Sequence, residues 1–241
     1  MKKKLLIPLV AGALVIVAII VCVVLTSSSN NDVEESPKPL KESEGLEFGL
    51  MEDGKSYAVI GIGTCKDKQI VIPSQYNGLP VTAIEYGAFA RCTSITSVKI
   101  PVSITTIGGQ AFMHCSSLKK IEIPNSVTTI NGSAFSYCTS LTSVTLPNSI
   151  THINGHTFYY CSSLKKIEIP NSVISIDQEV FRGCTSLTSA IIPSSVKTLG
   201  PCVFDDSKSL TIYCEAKSQP SGWHNQWNYN NSTVVWGYTK K

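Results

Sequence analysis

Apolar residues recur through the middle of the chain with a period of 23 residues. The stretch CSSLKKIEIPNSV of residues 115–127 returns unchanged at residues 161–173, and the variant CTSLTSVTLPNSI lies halfway between them. The aromatic, thiol and proline positions that keep this spacing are Phe89, Phe112, Phe135, Phe158, Phe181 and Phe204, then Cys92, Cys115, Cys138, Cys161 and Cys184, and Pro101, Pro124, Pro147, Pro170 and Pro193. A fixed period of this length predicts a solenoid, in which each coil buries its apolar side against its neighbours.

Each coil is predicted to hold one short strand and one helical turn. The apolar–polar alternation of residues 121–123 predicts a strand with one buried face. Pro124 ends that strand because proline has no N–H for the next hydrogen bond of the ladder. Asn131 is a residue type favoured at a helix N-cap, and Phe135 and Cys138 then share the inward face of a single helical turn.

The first 25 residues predict a transmembrane anchor. Leu5 to Leu25 is an uncharged, almost wholly apolar run of 21 residues, which as a helix spans about 31 Å, the thickness of a bilayer core. Lys2, Lys3 and Lys4 precede the run. We therefore expect a single-pass protein of the cell membrane, with the N-terminus inside and the rest of the chain outside. A cleaved signal peptide is the alternative, although its apolar region is usually shorter.

Composition divides the remaining chain into four segments. Residues 26–45 are polar and carry two prolines, which is typical of a disordered stalk. Residues 46–72 contain Asp53-Gly54 between apolar residues, so we expect a capping hairpin. Residues 73–209 form the predicted solenoid, with turn chemistry in an insertion at residues 76–80. Residues 210–241 hold all three tryptophans and are predicted as a C-terminal cap, with a binding site as the alternative.

The distribution of charge argues against a nucleic-acid partner. The chain has 20 Lys and Arg against 17 Asp and Glu. The three lysines at the N-terminus account for the excess, so residues 27–241 carry 17 charges of each sign. Without an excess of positive charge, the solenoid is not expected to attract the phosphate backbone of a nucleic acid.

Two rows of outward positions are the candidate binding residues. On the strand face, coils with charged residues alternate with Ser/Thr-rich coils, and the charged positions are Lys99, Lys120, Glu122, Lys166 and Glu168. Two residues after the phenylalanines lie His114, Tyr137 and Tyr160, an aromatic row that would stack on a sugar or a partner side chain. Each row is either a solvated surface or a docking surface.

The predicted size of the strand face limits affinity. Six strands about 4.8 Å apart make a face about 29 Å long, and short strands make it narrow. Its area is then smaller than the roughly 800 Å² that each partner buries in a standard interface. We therefore expect an extracellular protein or glycan ligand to bind weakly and to require many copies on one surface.

Catalytic, metal and cofactor sites are not predicted. No GxSxG nucleophile motif and no CxxC motif occur, and Glu122 and Glu168 lie two coils apart beside lysines that keep both ionised. The cysteine row is predicted to consist of buried free thiols, because the Cβ vectors of stacked coils run parallel and suit a disulfide poorly. Cys202 and Cys214 are the pair that remains to be tested for a bridge.

The repeat pattern I-x-IP-x-S-V-x-x-I-x-x-x-AF-x-x-C-x-S-L resembles the BspA-type leucine-rich repeats of bacterial and protozoan surface proteins. Residues 61–65 and 72–82 resemble the first repeat of that family, and residues 210–214 with Gly222-Trp223 resemble its last. Over residues 46–241 the resemblance implies a curved leucine-rich-repeat solenoid at the cell surface, without catalytic residues. The expected function is a membrane-anchored binding or adhesion module, and the alternative is a structural envelope or spacer protein.

Overall fold

The computed structural model describes residues 41–240, so the predicted anchor and residues 26–40 of the predicted stalk lie outside the described part of the chain. Residues 41–240 wind into a leucine-rich-repeat β-solenoid of eight coils. Each regular coil has a front strand, a turn at its proline, a two-residue side strand and a turn segment that leads to the next coil. Within this range no helix is long and apolar enough to cross a membrane.

Two sets of parallel strands form the walls of the solenoid. The front strands are β3 (Gln69–Val71), β6 (Ser97–Lys99), β8 (Lys120–Glu122), β10 (Ser143–Thr145), β12 (Lys166–Glu168), β14 (Ser189–Ile192), β16 (Thr211–Cys214) and β17 (Thr233–Trp236). The side strands are β2 (Tyr57–Gly61), β5 (Leu79–Ile84), β7 (Thr106–Ile107), β9 (Thr129–Ile130), β11 (His152–Ile153), β13 (Ser175–Ile176) and β15 (Thr198–Leu199). Two antiparallel strands, β1 (Glu47–Leu50) and β4 (Gln75–Tyr76), complete the set.

Both walls consist of two blocks. In the front wall, one ladder contains β3, β6, β8 and β10, and a second contains β12, β14, β16 and β17. In the side wall, one ladder contains β2, β5, β7 and β9 with β1 at its edge, and a second contains β11, β13 and β15. At the junction the turn segments still connect the coils, because Phe135 N–H donates to the carbonyl of Thr157 at 2.9 Å and Tyr137 N–H to that of Tyr159 at 2.7 Å. We refer to the front face up to β10 as its N-terminal half and to the front face from β12 onwards as its C-terminal half. Lys165 N–H donates to the carbonyl of Thr142 at 3.4 Å beside the junction of the two halves.

The predicted helical turn is wrong, because residues 131–138 form successive β-turns instead. Cys138 N–H bonds the carbonyl of Phe135, three residues back, and Ser133 and Tyr137 adopt positive φ of 60°. Alternate amides of this turn segment, such as that of Phe135, point along the solenoid axis and bond the next coil. These bonds between coils replace the bonds that an α-helix makes within its own segment.

The core of the solenoid contains a continuous ladder of phenylalanine rings. The six repeat phenylalanines are buried, and successive rings stack with centroids 5.2 to 5.5 Å apart and planes within 8° of parallel. Burying one such side chain stabilises the fold by about 1.5–3 kcal/mol. Each coil therefore adds a similar increment of core to its neighbours.

The cysteine row lies beside the phenylalanine ladder as free thiols, and Cys202 and Cys214 are also free. The thiols of four buried cysteines donate to the phenylalanine carbonyl of the preceding coil: Cys115, Cys138, Cys161 and Cys184. Their Sγ–O distances are 3.1 to 3.3 Å. The thiols thus satisfy a polar group inside the core as well as filling space.

At the N-terminal end, two hairpins and a short extended segment cover the first coil. Strand β1 pairs with β2 and strand β4 with β5, and the ring of Tyr76 stacks on Phe48 with centroids 4.2 Å apart. Ser43, predicted in the stalk, is instead buried, and its N–H donates to the carbonyl of Val71 at 2.9 Å. The solenoid therefore includes residues that were predicted to belong to the stalk, because Ser43 pairs with the edge of β3.

At the C-terminal end, residues 210–240 contribute more than a cover to the last coil. Strands β16 and β17 extend the front sheet in parallel register. Trp223 and Trp227 are buried, and the indole N–H of Trp223 donates to the carbonyl of Val196 at 3.2 Å. The tryptophans thus close the core while the front face continues past them.

Candidate ligand-binding face

The outward residues of the front strands form two parallel rows. The first row is Gln69, Ser97, Lys120, Ser143, Lys166, Ser189, Thr211 and Thr233, and the second is Lys99, Glu122, Thr145, Glu168, Ile191, Tyr213 and Val235. Val71 holds the equivalent register position in β3 but is buried. Alternation along each strand sends the residue between them into the core. Five of the predicted binding residues lie in these rows.

A groove of about 730 Å³ runs over the N-terminal half of the front face. Its lining includes Lys99, Lys120 and Glu122, together with the polar side chains of Thr145 and Asn125. Lys99 and Glu122 are register neighbours on adjacent strands. Among residues 41–240, none of the three charged groups forms an ion pair within 4.0 Å, so all three are available to a ligand.

The C-terminal half of the front face differs from this groove. Lys166 and Glu168 lie outside the groove lining, and Glu168 forms a salt bridge with Lys240. Beyond Glu168 the second row becomes apolar, at Ile191, Tyr213 and Val235. The repeated charges in the two identical 13-residue stretches therefore face different surroundings.

The C-terminal tail, residues 237–240, lies against this half of the face. Gly237 has a positive φ of 70°, and the ring of Tyr238 lies 5.0 Å from that of Tyr213, between centroids. The hydrogen bond to Glu168 raises the pKa of the Lys240 amine. The tail and Tyr213 were not among the predicted sites, although the alternation in residues 211–214 was a visible strand signal.

The aromatic row occupies the turn segments, on a different side of the coil from the front strands. The ring of Tyr137 stacks on His114 at 4.5 Å and on Tyr160 at 5.4 Å, between centroids. The other face of Tyr160 is covered by Gly183, where an added Cβ would lie 2.8 Å from the ring. The faces of the Tyr137 and Tyr160 rings therefore have partners within the chain. The binding of a sugar or a partner side chain by this row stays a prediction.

An ionic cluster that the repeat pattern did not indicate lies next to the aromatic row. The Arg182 guanidinium contacts Glu179 at 3.2 Å, Asp206 at 3.3 Å and Asp205 at 3.8 Å. Burial lowers the pKa of Arg182, but the hydrogen bond to Asp206 and the charge of Glu179 raise this pKa by more. In the described part of the chain, no group of three or more His, Cys, Asp or Glu side chains is arranged to hold a metal ion.

Comparison with known proteins agrees with the repeat geometry. A family model described as BspA type leucine-rich repeat region matches residues 82–211 in six copies. A search of curated protein sequences finds no match.

Solved bacterial structures share the fold. The leucine-rich repeat protein of T. pallidum is 34% identical, with a TM-score of 0.68 over 71% of this chain and 81% of its own. A leucine-rich cell surface protein of Faecalibacterium prausnitzii is 29% identical, with a TM-score of 0.58 over 80% of this chain, which spans 58% of that protein. Since the family model covers more than half of the sequence and its copies coincide with the stacked coils, the chain belongs to the BspA-type leucine-rich repeat family.

Proposed function

We propose that the chain is a cell-surface interaction module that binds an extracellular protein or glycan in the groove on the N-terminal half of its front face. The observation that carries this proposal is the lack of ion pairs at the charged side chains of the groove. Lys99, Lys120 and Glu122 line it without ion-pair partners among residues 41–240. The equivalent Glu168 is already paired.

Family membership supports an interaction or adhesion role for a repeat surface. The described relative from Faecalibacterium prausnitzii is a cell surface protein, which supports display outside the cell. In this proposal Leu5 to Leu25 anchors the chain in the cell membrane as a single span, with the solenoid outside.

The area of the face supports weak, avidity-dependent binding. Eight front strands, rather than the six expected, make a face about 38 Å long at a strand spacing of about 4.8 Å. The face remains narrow because most front strands are three residues long. Display of many copies on one membrane then supplies the avidity that one copy lacks.

The test measures binding of the membrane-displayed full chain to immobilised extracellular matrix proteins and to a glycan panel. We expect at least one ligand whose binding falls about tenfold or more when Lys99, Lys120 and Glu122 are all replaced by alanine. The matched control is Lys166→Ala, which has identical neighbours in sequence and lies outside the groove. Ligand binding that the triple substitution leaves unchanged would contradict the assignment of the binding site to the groove. If the chain binds no ligand of the panel, the result would favour a spacer protein.

Anchoring is tested separately. Protease treatment of intact cells is expected to remove the solenoid while a fragment containing Leu5 to Leu25 stays with the membrane fraction. Protection of the solenoid from protease would reverse the proposed orientation.

A further inference from the structure

We propose that Glu168, Ile191 and Tyr213, on the C-terminal half of the front face, form a second binding site, for an extended protein segment with a tyrosine two residues before a lysine. The C-terminal tail of the same chain contacts the two ends of this site, at Glu168 and Tyr213, in the structure. The inference rests on the proposed function only in that both sites use the front face.

The tail shows which chemistry the site accepts. Lys240 pairs with Glu168, and the phenol ring of Tyr238 lies against that of Tyr213 at an interplanar angle of 54°. Ile191 lies between Glu168 and Tyr213 in the strand register. The site thus offers a carboxylate, an aliphatic surface and an aromatic ring in a line across three strands.

The spacing of these groups fits an extended segment that runs across the strands. Glu168 and Tyr213 are two strands apart, about 9.6 Å. Two residues of extended chain cover about 7 Å, and the tyrosine and lysine side chains supply the remaining reach. A tyrosine and a lysine two positions apart therefore contact the two ends of the site together.

The comparison with Glu122 shows that the site depends on more than the repeated carboxylate. Glu122 and Glu168 hold the same position in the two identical 13-residue stretches. The neighbour of Glu122 in the next strand is Thr145, whereas that of Glu168 is Ile191. Within the described residues, no tail residue forms a hydrogen bond or an ion pair with Glu122. The aromatic and aliphatic part of the site exists only beyond β12.

The occupied site remains open to exchange. The side chains of Lys240 and Glu168 are 58% and 57% exposed, and an ion pair this exposed contributes little to stability. Tethering nevertheless gives the tail a high effective concentration, so a partner displaces it only when the partner is multivalent or makes further contacts.

The test uses a photo-crosslinking peptide, which captures weak complexes. The probe is the pentapeptide of residues 236–240 with benzoylphenylalanine in place of the tyrosine. It is added to membranes that contain the full chain, a variant lacking residues 238–241, and the double variant Tyr238→Ala, Lys240→Ala. The double variant keeps the backbone bond of residue 238 to Cys214 that the deletion removes.

We expect crosslinks to map to the segment that contains Ile191 and Tyr213. Their yield should be about fivefold higher in both tail variants than in the intact chain, because the competing tail is weakened. In either tail variant Glu168→Gln should lower the yield about twofold, since an exposed ion pair is lost. The matched control Glu122→Gln should leave the yield unchanged.

Crosslinks that are absent from this segment in both tail variants, or that fall equally with Glu122→Gln and Glu168→Gln, would overturn the proposal. Crosslinks between intact chains that increase with their density would assign the site to the tail of a second copy and would also overturn it. Ligand binding in the groove of Lys99 and Lys120 does not depend on this result, so the two proposals fail separately.

Discussion

The thiol of Cys138 donates a hydrogen bond of 3.2 Å to the backbone carbonyl oxygen of Phe112, in the preceding coil. The same relationship links Cys161 to Phe135 and Cys184 to Phe158. The cysteine row therefore ties each coil to the phenylalanine ladder of the coil before it, through a bond that requires a donor at this position.

Replacing one such thiol should destabilise the solenoid. Cys138→Ala removes a fully buried donor and leaves a small cavity, so we expect the free energy of unfolding to fall by about 1–2 kcal/mol. Cys92→Ala is the control, because Cys92 is half-buried and its Sγ lies 3.9 Å from the carbonyl oxygen of Ala90, within its own coil. The free energies of unfolding of the two variants are compared by urea unfolding. An equal loss of this free energy in both variants would show that the hydrogen bond between coils contributes nothing to stability.

The buried thiols should also make the fold sensitive to alkali. Burial raises the pKa of Cys138, Cys184 and Cys214 from 9.0 to about 12. Above pH 9 the unfolded chain loses thiol protons that the folded chain retains, so stability is complete below about pH 9 and falls as pH rises towards about 12. Each thiol contributes a slope of about 1.4 kcal/mol per pH unit.

Urea unfolding at a series of pH values above about 8 measures this slope. In Cys138→Ala the decrease of stability with pH should be shallower by about 1.4 kcal/mol per pH unit, because one buried thiol is gone. A slope identical to that of the native chain would mean that the Cys138 thiol does not have a raised pKa in the folded state.

Stability should depend on glycine at position 183, because the Tyr160 ring lies directly against it. Its φ is +72°, a conformation that Tyr137 and Tyr160 also adopt at the same position of their coils, so the conformation alone does not demand glycine. An added Cβ would, however, lie 2.8 Å from the Tyr160 ring. We expect Gly183→Ala to cost about 1–3 kcal/mol in the free energy of unfolding, mainly through this collision.

A double-mutant cycle separates the collision from backbone strain. In a Tyr160→Ala background the same Gly183→Ala substitution should cost less by at least about 0.5 kcal/mol, because the obstructing ring is absent. Additive costs in thermal or urea unfolding would assign the whole effect to the backbone instead.

The sequence was sufficient to predict the repeat unit and its inward residues. Phenylalanine, cysteine and the central strand residue recur at a fixed interval, and burial of one such as Phe135 implies burial of the others because the coils are equivalent. The alternation of residues 121–123 likewise placed Lys120 and Glu122 on the outside of the front sheet.

The turn segments and the tail could not be predicted in the same way. Inward residues three and four apart, such as Phe135 and Cys138, fit both an α-helical turn and a pair of β-turns, and hydrogen bonds to the next coil decided between them. The contact of Lys240 with Glu168 joins residues 72 positions apart that lie outside any shared repeat. Long-range contacts of this kind leave no periodic pattern in the chain.

The most direct test of the central claim, that the N-terminal half of the front face binds the ligand, is a comparison of Lys120→Glu with Lys166→Glu. The two lysines hold the same position in the two identical 13-residue stretches, and both are exposed. Of the two, only Lys120 lines the groove. The measurement is the equilibrium affinity of the displayed full chain for the ligand that it captures from the panel. The account predicts that Lys120→Glu weakens binding about tenfold or more while Lys166→Glu changes it less than about twofold. Equal effects of the two substitutions would contradict it.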